Sequence, residues 1–256
     1  MRKPMIAGNW KMNMTPAESV VLSQGISYRV NRKMDQVDVV ICPPSCDLRS
    51  VYTVLDFDRA PIELGAQNVH WEPQGAYTGE ISIPMLRDIG CTWCIVGHSE
   101  RREMFGESDA DVNKKVKALV AEHMGAIVCV GESLALRDAG TYLEFVVAQV
   151  RAAFAGLEPE EASRCVVAYE PIWAIGTGRT ATPEQAQEVC AAIRETLALL
   201  FGDETADKMR ILYGGSMNPS NIESFLPCPD IDGGLIGGAA LHATDFADMI
   251  DIAARY

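Results

Sequence analysis

A glutamate at the end of an apolar run is well placed in this sequence for acid–base chemistry. Glu170 follows the apolar segment Cys165–Tyr169 and precedes a stiff Pro-Ile-Trp segment, after which a glycine-rich stretch leads to a helix start at Thr182. A buried general base needs a carboxylate at a strand's carboxyl end, under a loop that can close. Burial is expected to raise its pKa and strengthen it as a base. From these residues alone, a solvated glutamate in an ordinary βα connection is the alternative.

Polar side chains also follow two other apolar runs. Asn9 and Lys11 come after the first run, and His98 comes after the fourth. An imidazole can move a proton between two oxygens or donate a hydrogen bond to a carbonyl. The lysine and the amide can stabilise an oxyanion or a phosphate. A structural histidine and a solvated lysine are the alternatives at these positions.

Glycine pairs follow the last two apolar runs. They are Gly214-Gly215, which precedes Ser216, and Gly237-Gly238. Without a Cβ, backbone N–H groups can approach an anion closely, so these turns predict a phosphate site, with two chemically idle turns as the alternative. A further segment, residues 176–181, fits the Gly-x-Gly-x-x-Ala dinucleotide pattern. It lies in the sixth βα unit rather than the first, so nucleotide binding is not expected.

Eight short apolar runs alternate with eight amphipathic segments along the chain. The predicted strands are Met5–Gly8, Val37–Cys42, Ile62–Gln67, Cys91–Val96, Ala126–Val130, Cys165–Tyr169, Met209–Tyr213 and Gly234–Ile236. The predicted helices are Pro16–Tyr28, Cys46–Leu55, Ile83–Ile89, Ser108–His123, Thr141–Phe154, Pro183–Leu200, Pro219–Phe225 and Ala243–Ala254. This pattern predicts an α/β fold, a closed (β/α)₈ barrel formed as one domain by residues 1–256. The polar residues and glycine turns would then share the mouth at the strands' carboxyl ends.

The negative net charge of the chain argues against two classes of binding partner. The formal net charge is −13, which argues against nucleic acid and anionic membranes as partners. An anionic substrate would therefore need a local positive site. No apolar run approaches the ~18 residues of a membrane span, and the first residues lack the apolar core of a signal peptide. A cytoplasmic protein is expected.

The cysteines and histidines do not suggest a metal or redox centre. Eight cysteines without a signal peptide indicate buried thiols. Cys91 and Cys94 form a Cys-x-x-Cys, but in a predicted strand rather than at a helix start, where a redox pair belongs. The four histidines show no metal-ligand spacing. Neither a metal nor a cofactor is expected.

Taken together, the motifs resemble those of the triosephosphate isomerase family over essentially the whole chain. They are, in chain order, Gly8–Asn13, Gly97–Arg102, Ala168–Gly178, Tyr213–Ser216 and Gly237-Gly238. The resemblance implies a TIM barrel that interconverts dihydroxyacetone phosphate and D-glyceraldehyde 3-phosphate through an enediolate. In that family Glu170 would be the base, and His98 a neutral electrophile and proton shuttle. Lys11 and Asn9 would stabilise the oxyanion.

The resemblance also implies a phosphate site and a partner. Backbone N–H groups would hold the substrate phosphate at Gly176, Ser216, Gly237 and Gly238. The long segment Gln67–Glu80 would insert into a second copy of the chain, which predicts a homodimer with Thr78 near the partner's site. Ala240 stands where the family usually has serine, and Met12 where some members have cysteine.

Two rival functions remain open at this point. One is another phosphosugar enzyme of the barrel type, but a Schiff-base aldolase needs a lysine at a later strand end, where this chain has Glu170. The other is a non-catalytic barrel that only binds phosphosugars. The presence of Asn9, Lys11, His98 and Glu170 together argues against it.

Overall fold

Eight parallel strands close into a barrel in the computed structural model, which describes residues 2–30, 35–175 and 180–256. Each strand pairs with the next along the chain, and the eighth pairs with the first. The strands are Met5–Asn9 (β1), Asp38–Cys42 (β2), Glu63–Ala66 (β3), Trp93–Val96 (β4), Gly125–Val130 (β5), Cys165–Tyr169 (β6), Ile211–Tyr213 (β7) and Gly233–Ile236 (β8). The predicted closed (β/α)₈ barrel is confirmed.

Helical segments connect the strands and cover the outside of the barrel. Within the described residues they are Pro16–Val30 (α1), Leu48–Asp58 (α2), Ile83–Ile89 (α3), Ser99–Phe105 (α4), Asp109–Ala121 (α5), Leu134–Asp138 (α6), Tyr142–Ala153 (α7), Pro159–Ala162 (α8), Pro183–Phe201 (α9), Asp203–Ala206 (α10), Ile222–Phe225 (α11) and Ala243–Ala253 (α12). Two 3₁₀ turns span Ile172–Ala174 and Gly238–Leu241. Every predicted strand and helix overlaps an observed one. The short α4, α6, α8 and α10 were not predicted, because one or two turns show too little periodicity.

The strands are apolar on both faces because each face is buried. One set of side chains, including Ala7, Val40 and Ile95, fills the inside of the barrel. The alternate set, including Ile6 and Val39, packs against the helices. Alternation of side chains along a strand produces this division, and burial on both faces explains the continuous apolar runs in the sequence.

A partly buried charge cluster lies at the amino ends of the strands. Arg194 of α9 donates from Nε to Asp230 at 2.7 Å and from Nη2 to Asp232 at 2.7 Å. Its Nη1 donates to the carbonyl oxygens of Ala206 at 2.7 Å and Met209 at 2.8 Å. One guanidinium thus ties α9 to the segments that enter β7 and β8, at the end opposite the glycine turns.

The described residues bear on three further expectations. All eight cysteines are free, and burial raises the pKa of the Cys91 thiol to about 12 and that of Cys94 upward as well. These thiols are therefore protonated at neutral pH, which does not suit redox exchange. In the described part of the chain, no group of three or more His, Cys, Asp or Glu residues could hold a metal ion. No helix there is long and apolar enough to cross a membrane.

Candidate active site

A cavity of about 420 Å³ opens at the carboxyl ends of the strands. We call it the central cavity. Eight residues were expected to have catalytic or substrate-binding roles, and seven of them line it, namely Asn9, Lys11, His98, Glu170, Ser216, Gly237 and Gly238. The eighth, Gly176, lies outside the described residues. Residues that are far apart in sequence, from β1 to β8, thus face one volume.

The backbone of Lys11 is fixed in an uncommon conformation beside this cavity. Its φ is 52°, in the left-handed region that non-glycine residues rarely adopt. Asn9 accepts a hydrogen bond at its Oδ1 from the Lys11 N–H at 3.0 Å, and Gln67 donates from Nε2 to the Lys11 carbonyl at 2.8 Å. These bonds hold both peptide groups of Lys11. Because Asn9 uses its oxygen here, its amide nitrogen is the group that can donate to a ligand.

The ammonium of Lys11 is paired with a carboxylate at the rim. Its Nζ lies 2.6 Å from Oε1 of Glu100, and the two side chains are 28% and 40% exposed. The pair holds the long lysine side chain over the central cavity and leaves its other N–H bonds to an incoming anion. In a chain with a formal net charge of −13, this local cation matters for any anionic ligand.

His98 is oriented by the helix that it begins. It is the N-cap residue of α4, and its Nδ1 accepts a hydrogen bond from the backbone N–H of Glu100 at 3.2 Å. That bond uses the Nδ1 lone pair, so the proton of the neutral imidazole lies on Nε2. Nε2 is 3.0 Å from Oε1 of Glu170. The ring thus presents an N–H donor toward the central cavity and the carboxylate.

Glu170 is held by backbone and side-chain contacts at the end of β6. Its side chain is 2% exposed, and its N–H donates to the carbonyl of Val130 at 2.7 Å. Ser99 donates to the carboxylate from its backbone N–H at 2.9 Å and from its hydroxyl at 3.2 Å. A Cβ on Gly131 would lie 1.8 Å from the Glu170 carbonyl oxygen, so the close approach of β5 here requires glycine.

The expected rise in the pKa of Glu170 is wrong. Burial does raise the pKa of this carboxyl, but His98, the N–H of Ser99 and the charge of Lys11 together outweigh burial and lower it. The sequence could not show these contacts, because His98 and Ser99 follow β4, Lys11 follows β1 and Glu170 follows β6, and only the folded barrel brings the three connections together. A lowered pKa keeps the carboxylate ionised, and so able to accept a proton, at neutral pH.

Burial and neighbouring carboxylates shift the pKa of His98 in opposite directions. Burial lowers the pKa of His98, whereas the carboxylates of Glu170 and Glu100 raise it, and the net direction is upward. The Glu100 N–H that faces Nδ1 disfavours a second proton on the ring. Above its pKa, the ring is the neutral Nε2–H form that could polarise a carbonyl.

Two glycine turns also line the central cavity. Gly214 and Gly215 follow β7, and Gly237 and Gly238 follow β8. A Cβ built on Gly237 would lie 3.6 Å from Cε of Lys11, so this turn lies against the lysine stem. An anion in the turns would therefore be close to the cation as well as to backbone N–H groups.

Comparison with known proteins shows the family to which the chain belongs. The sequence model of the family described as triosephosphate isomerase matches residues 4–253. The chain belongs to the triosephosphate isomerase family. A protein named triosephosphate isomerase from Roseiflexus sp. (strain RS-1) is 51% identical over 251 residues, which cover 98% of this chain and 97% of that protein. Proteins of the same name from Chloroflexus aurantiacus and Streptococcus pyogenes serotype M2 are 51% and 47% identical, each over 98% of this chain, and these matches cover 99% and 98% of those proteins.

Two residues next to His98 contact the site residues of this triosephosphate isomerase family member, and the sequence analysis gave neither of them a role. Ser99 and Glu100 hold Glu170, His98 and Lys11, as described above. Both follow His98 directly in the sequence, and that adjacency was the signal available. Their roles depend on α4 beginning at Ser99, and this short helix was not predicted.

A buried glutamate supports the segment after Glu170. Glu132 accepts hydrogen bonds at Oε1 from Trp173 Nε1 at 2.8 Å, Tyr169 Oη at 3.0 Å and Arg137 Nη1 at 3.1 Å. The indole of Trp173, three residues after Glu170, is thus anchored to a carboxylate that follows β5. Glu132 follows β5, so only the folded barrel brings it to this segment.

Proposed function

We propose that this chain interconverts dihydroxyacetone phosphate and D-glyceraldehyde 3-phosphate through an enediolate. The observation that carries the proposal is the convergence of a buried carboxylate, an imidazole N–H and an ammonium on one cavity with two glycine turns. These groups can act as a base, a proton carrier and an oxyanion stabiliser, beside two turns whose backbone N–H groups can bind a phosphate. The names of the family relatives support the same substrate class.

Each group has a step that fits its chemistry. Glu170 removes a proton from the carbon next to the substrate carbonyl, and neutral His98 polarises that carbonyl and moves protons between the two oxygens. Lys11 and the amide of Asn9 stabilise the negative oxygen as it develops. In the described arrangement His98 and Ser99 bond to the Glu170 carboxylate, so proton abstraction requires one oxygen to exchange such a bond for the substrate.

The phosphate is assigned to the glycine turns. Backbone N–H groups of Ser216, Gly237 and Gly238 would bind it, with Gly176 as the contribution of the segment after β6. Glycolysis and gluconeogenesis are the pathways in which this reaction occurs. No metal or cofactor is assigned a role in the proposal.

A coupled spectrophotometric assay tests the activity. The purified protein is given D-glyceraldehyde 3-phosphate, with and without EDTA, and ketose formation is recorded. Rapid isomerisation that EDTA does not change would support the proposal. A folded protein without turnover would contradict it, and a shift of the melting temperature by phosphorylated trioses would then favour the binding-only alternative.

A negative charge in the turn after β8 is expected to weaken substrate binding. A Cβ on Gly238 meets no atom within 4 Å, so Gly238→Asp is tolerated by the backbone. Repulsion of the phosphate should raise KM by roughly tenfold or more, because each ~1.4 kcal/mol is a factor of ten. Gly238→Asn, which has the same shape without the charge, is the control. The KM values of both variants are measured by steady-state kinetics. Equal values would contradict the proposal that the phosphate binds at this turn.

We also propose a homodimer formed through the segment Gln67–Glu80. A second cavity of about 480 Å³, the side cavity, shares Asn9, Lys11 and His98 with the central cavity. Large apolar side chains near it face solvent, with Met12 95% and Phe105 69% exposed. An exposed apolar surface of this kind suits a protein partner. Insertion of the partner's loop would cover these groups and place Thr78 near Lys11.

Substitution of Thr78 tests the dimer. Thr78 is exposed in the single chain, and Thr78→Arg should clash with the partner's surface and shift the equilibrium toward the 27.9 kDa chain. Thr92→Arg makes the same change at an exposed threonine before β4, at the other end of the barrel. Light scattering at low protein concentration should give a smaller mass for Thr78→Arg alone. Equal masses for both variants and wild type would argue against this loop as the contact.

A cytoplasmic location accompanies these proposals. The eight free cysteines suit a reducing compartment, and the proposed substrates are phosphorylated metabolites. Immunoblotting of fractionated cells tests the location, and recovery of the protein outside the cytosolic fraction would contradict it.

A further inference from the structure

Arg102 joins four elements beside the central cavity without lining it. Its Nε donates to the carbonyl of Gly97 at 2.7 Å, at the end of β4. Its Nη1 donates to Asp109 of α5 at 2.5 Å, and its Nη2 to the carbonyl of Cys129 in β5 at 3.3 Å. The side chain is 15% exposed. A planar guanidinium can make these bonds in three directions at once.

The turn to which Arg102 bonds immediately precedes His98. Gly97 has a φ of +69°, in the left-handed region, and its N–H donates to the buried carboxylate of Glu107 at 2.8 Å. Glu107 thus holds the peptide before Gly97, and Arg102 holds the peptide after it. His98 is the next residue, so its backbone position depends on both contacts.

The hydrogen bond from Arg102 to β5 places the guanidinium close to the backbone that holds Glu170. The Cys129 carbonyl lies in β5, and the adjacent Val130 carbonyl accepts the hydrogen bond from the Glu170 N–H at 2.7 Å. The guanidinium therefore connects the turn that carries His98 to the strand that holds Glu170. We propose that Arg102 is a positioning residue that sets the separation of His98 and Glu170. This inference rests on the proposed isomerase function.

Small displacements of such groups have large effects on rate. A misplacement of about 1 Å can cost roughly a hundredfold in rate. Arg102→Lys keeps the positive charge but loses the planar fork, so the Gly97 and Cys129 carbonyls can no longer both be held. We expect kcat to fall by about 10- to 100-fold, with KM changed less than about threefold, because substrate binding groups are untouched.

Arg194→Lys is the matched control. Arg194 makes an equally dense set of bonds, but at the amino ends of the strands. Both variants should unfold at a lower temperature than wild type. Kinetics measured well below both melting temperatures should show the loss of kcat only in Arg102→Lys. Equal kcat values for the two variants, after correction for folded fraction, would overturn the positioning role.

An NMR titration of the His98 imidazole gives a readout that does not depend on turnover. The charged groups around His98 are Glu170, Glu100 and Lys11, and none of them is changed in Arg102→Lys. A looser contact with Glu170 should move the pKa of His98 down in this variant and leave it in place in Arg194→Lys. The His98 signal is identified by its loss in His98→Gln. An unchanged His98 titration in Arg102→Lys contradicts the inference, even if wild type lacks isomerase activity and the proposed function itself fails.

A milder variant covers the case in which Arg102→Lys does not fold. Asp109→Asn keeps the shape of the partner of Nη1 but removes its charge, and the Asp109 side chain is 42% exposed. Its effects on kcat and on the His98 titration should have the same sign and be smaller. Wild-type values for both would overturn the proposal.

Discussion

Glu170→Asp is expected to lower kcat by roughly 10²- to 10⁴-fold while KM changes by less than about threefold. The shorter side chain withdraws the carboxylate by one methylene from the position fixed by Ser99 and His98. Proton abstraction needs hydrogen-bond reach, whereas the proposed phosphate site in the glycine turns is left intact by this change. The loss should therefore fall on the chemical step.

Glu195→Asp provides the control for this change. Glu195 is an exposed residue of α9, and the same methylene is removed there without contact to the central cavity. Steady-state kinetics of both variants, with circular dichroism to confirm folding, make the comparison. A Glu170→Asp protein with kcat close to that of Glu195→Asp would show that Glu170 is not the base.

Lys11→Met is expected to lower kcat/KM by about 10³-fold or more, since removal of one oxyanion donor alone typically costs 10²–10³ in rate. In the proposed reaction Lys11 stabilises the enediolate, and as a cation beside the Gly237 turn it would also attract the phosphate. We therefore expect KM to rise and kcat to fall. No excess of positive charge elsewhere compensates in a chain of net charge −13. In the variant, Glu100 also loses its partner at 2.6 Å and adds an unpaired negative charge near the substrate.

Lys3→Met separates this local effect from the change in net charge. Lys3 also forms an ion pair at 2.6 Å, with Asp38 at the opposite end of the barrel. Its removal changes the net charge equally. Kinetics at fixed ionic strength should show wild-type values for Lys3→Met. A similar loss in both variants would assign the effect to the global field rather than to Lys11.

The fold was predictable because its signals are local and repeated. Each strand is buried on both faces, so it appears as a short apolar run, and long helices such as α9 begin with strong signals such as Thr182 followed by Pro183. The polar residues were placed together by one rule, that chemistry in such barrels lies at the strands' carboxyl ends. The cavity that contains Asn9, Lys11, His98 and Glu170 agrees with that placement.

The electrostatics of the site were not predictable in the same way. Burial alone suggested a raised pKa for Glu170, but the bonds from His98 and Ser99 reverse the direction. Those bonds depend on α4 starting at Ser99, and a seven-residue helix leaves little periodic signal. Likewise, the contact of Arg102 with Cys129 joins residues 27 apart through side-chain geometry that no spacing rule specifies.

Deuterium incorporation during turnover tests the central claim most directly. The wild-type protein and Glu170→Gln are each incubated with D-glyceraldehyde 3-phosphate in D₂O containing EDTA, and the products are followed by proton NMR. Proton abstraction by Glu170 to form an enediolate predicts rapid formation of dihydroxyacetone phosphate with deuterium at the carbon that receives the proton, and severe loss of that reaction in Glu170→Gln. No conversion by folded wild-type protein, or conversion at the wild-type rate by Glu170→Gln, would contradict it.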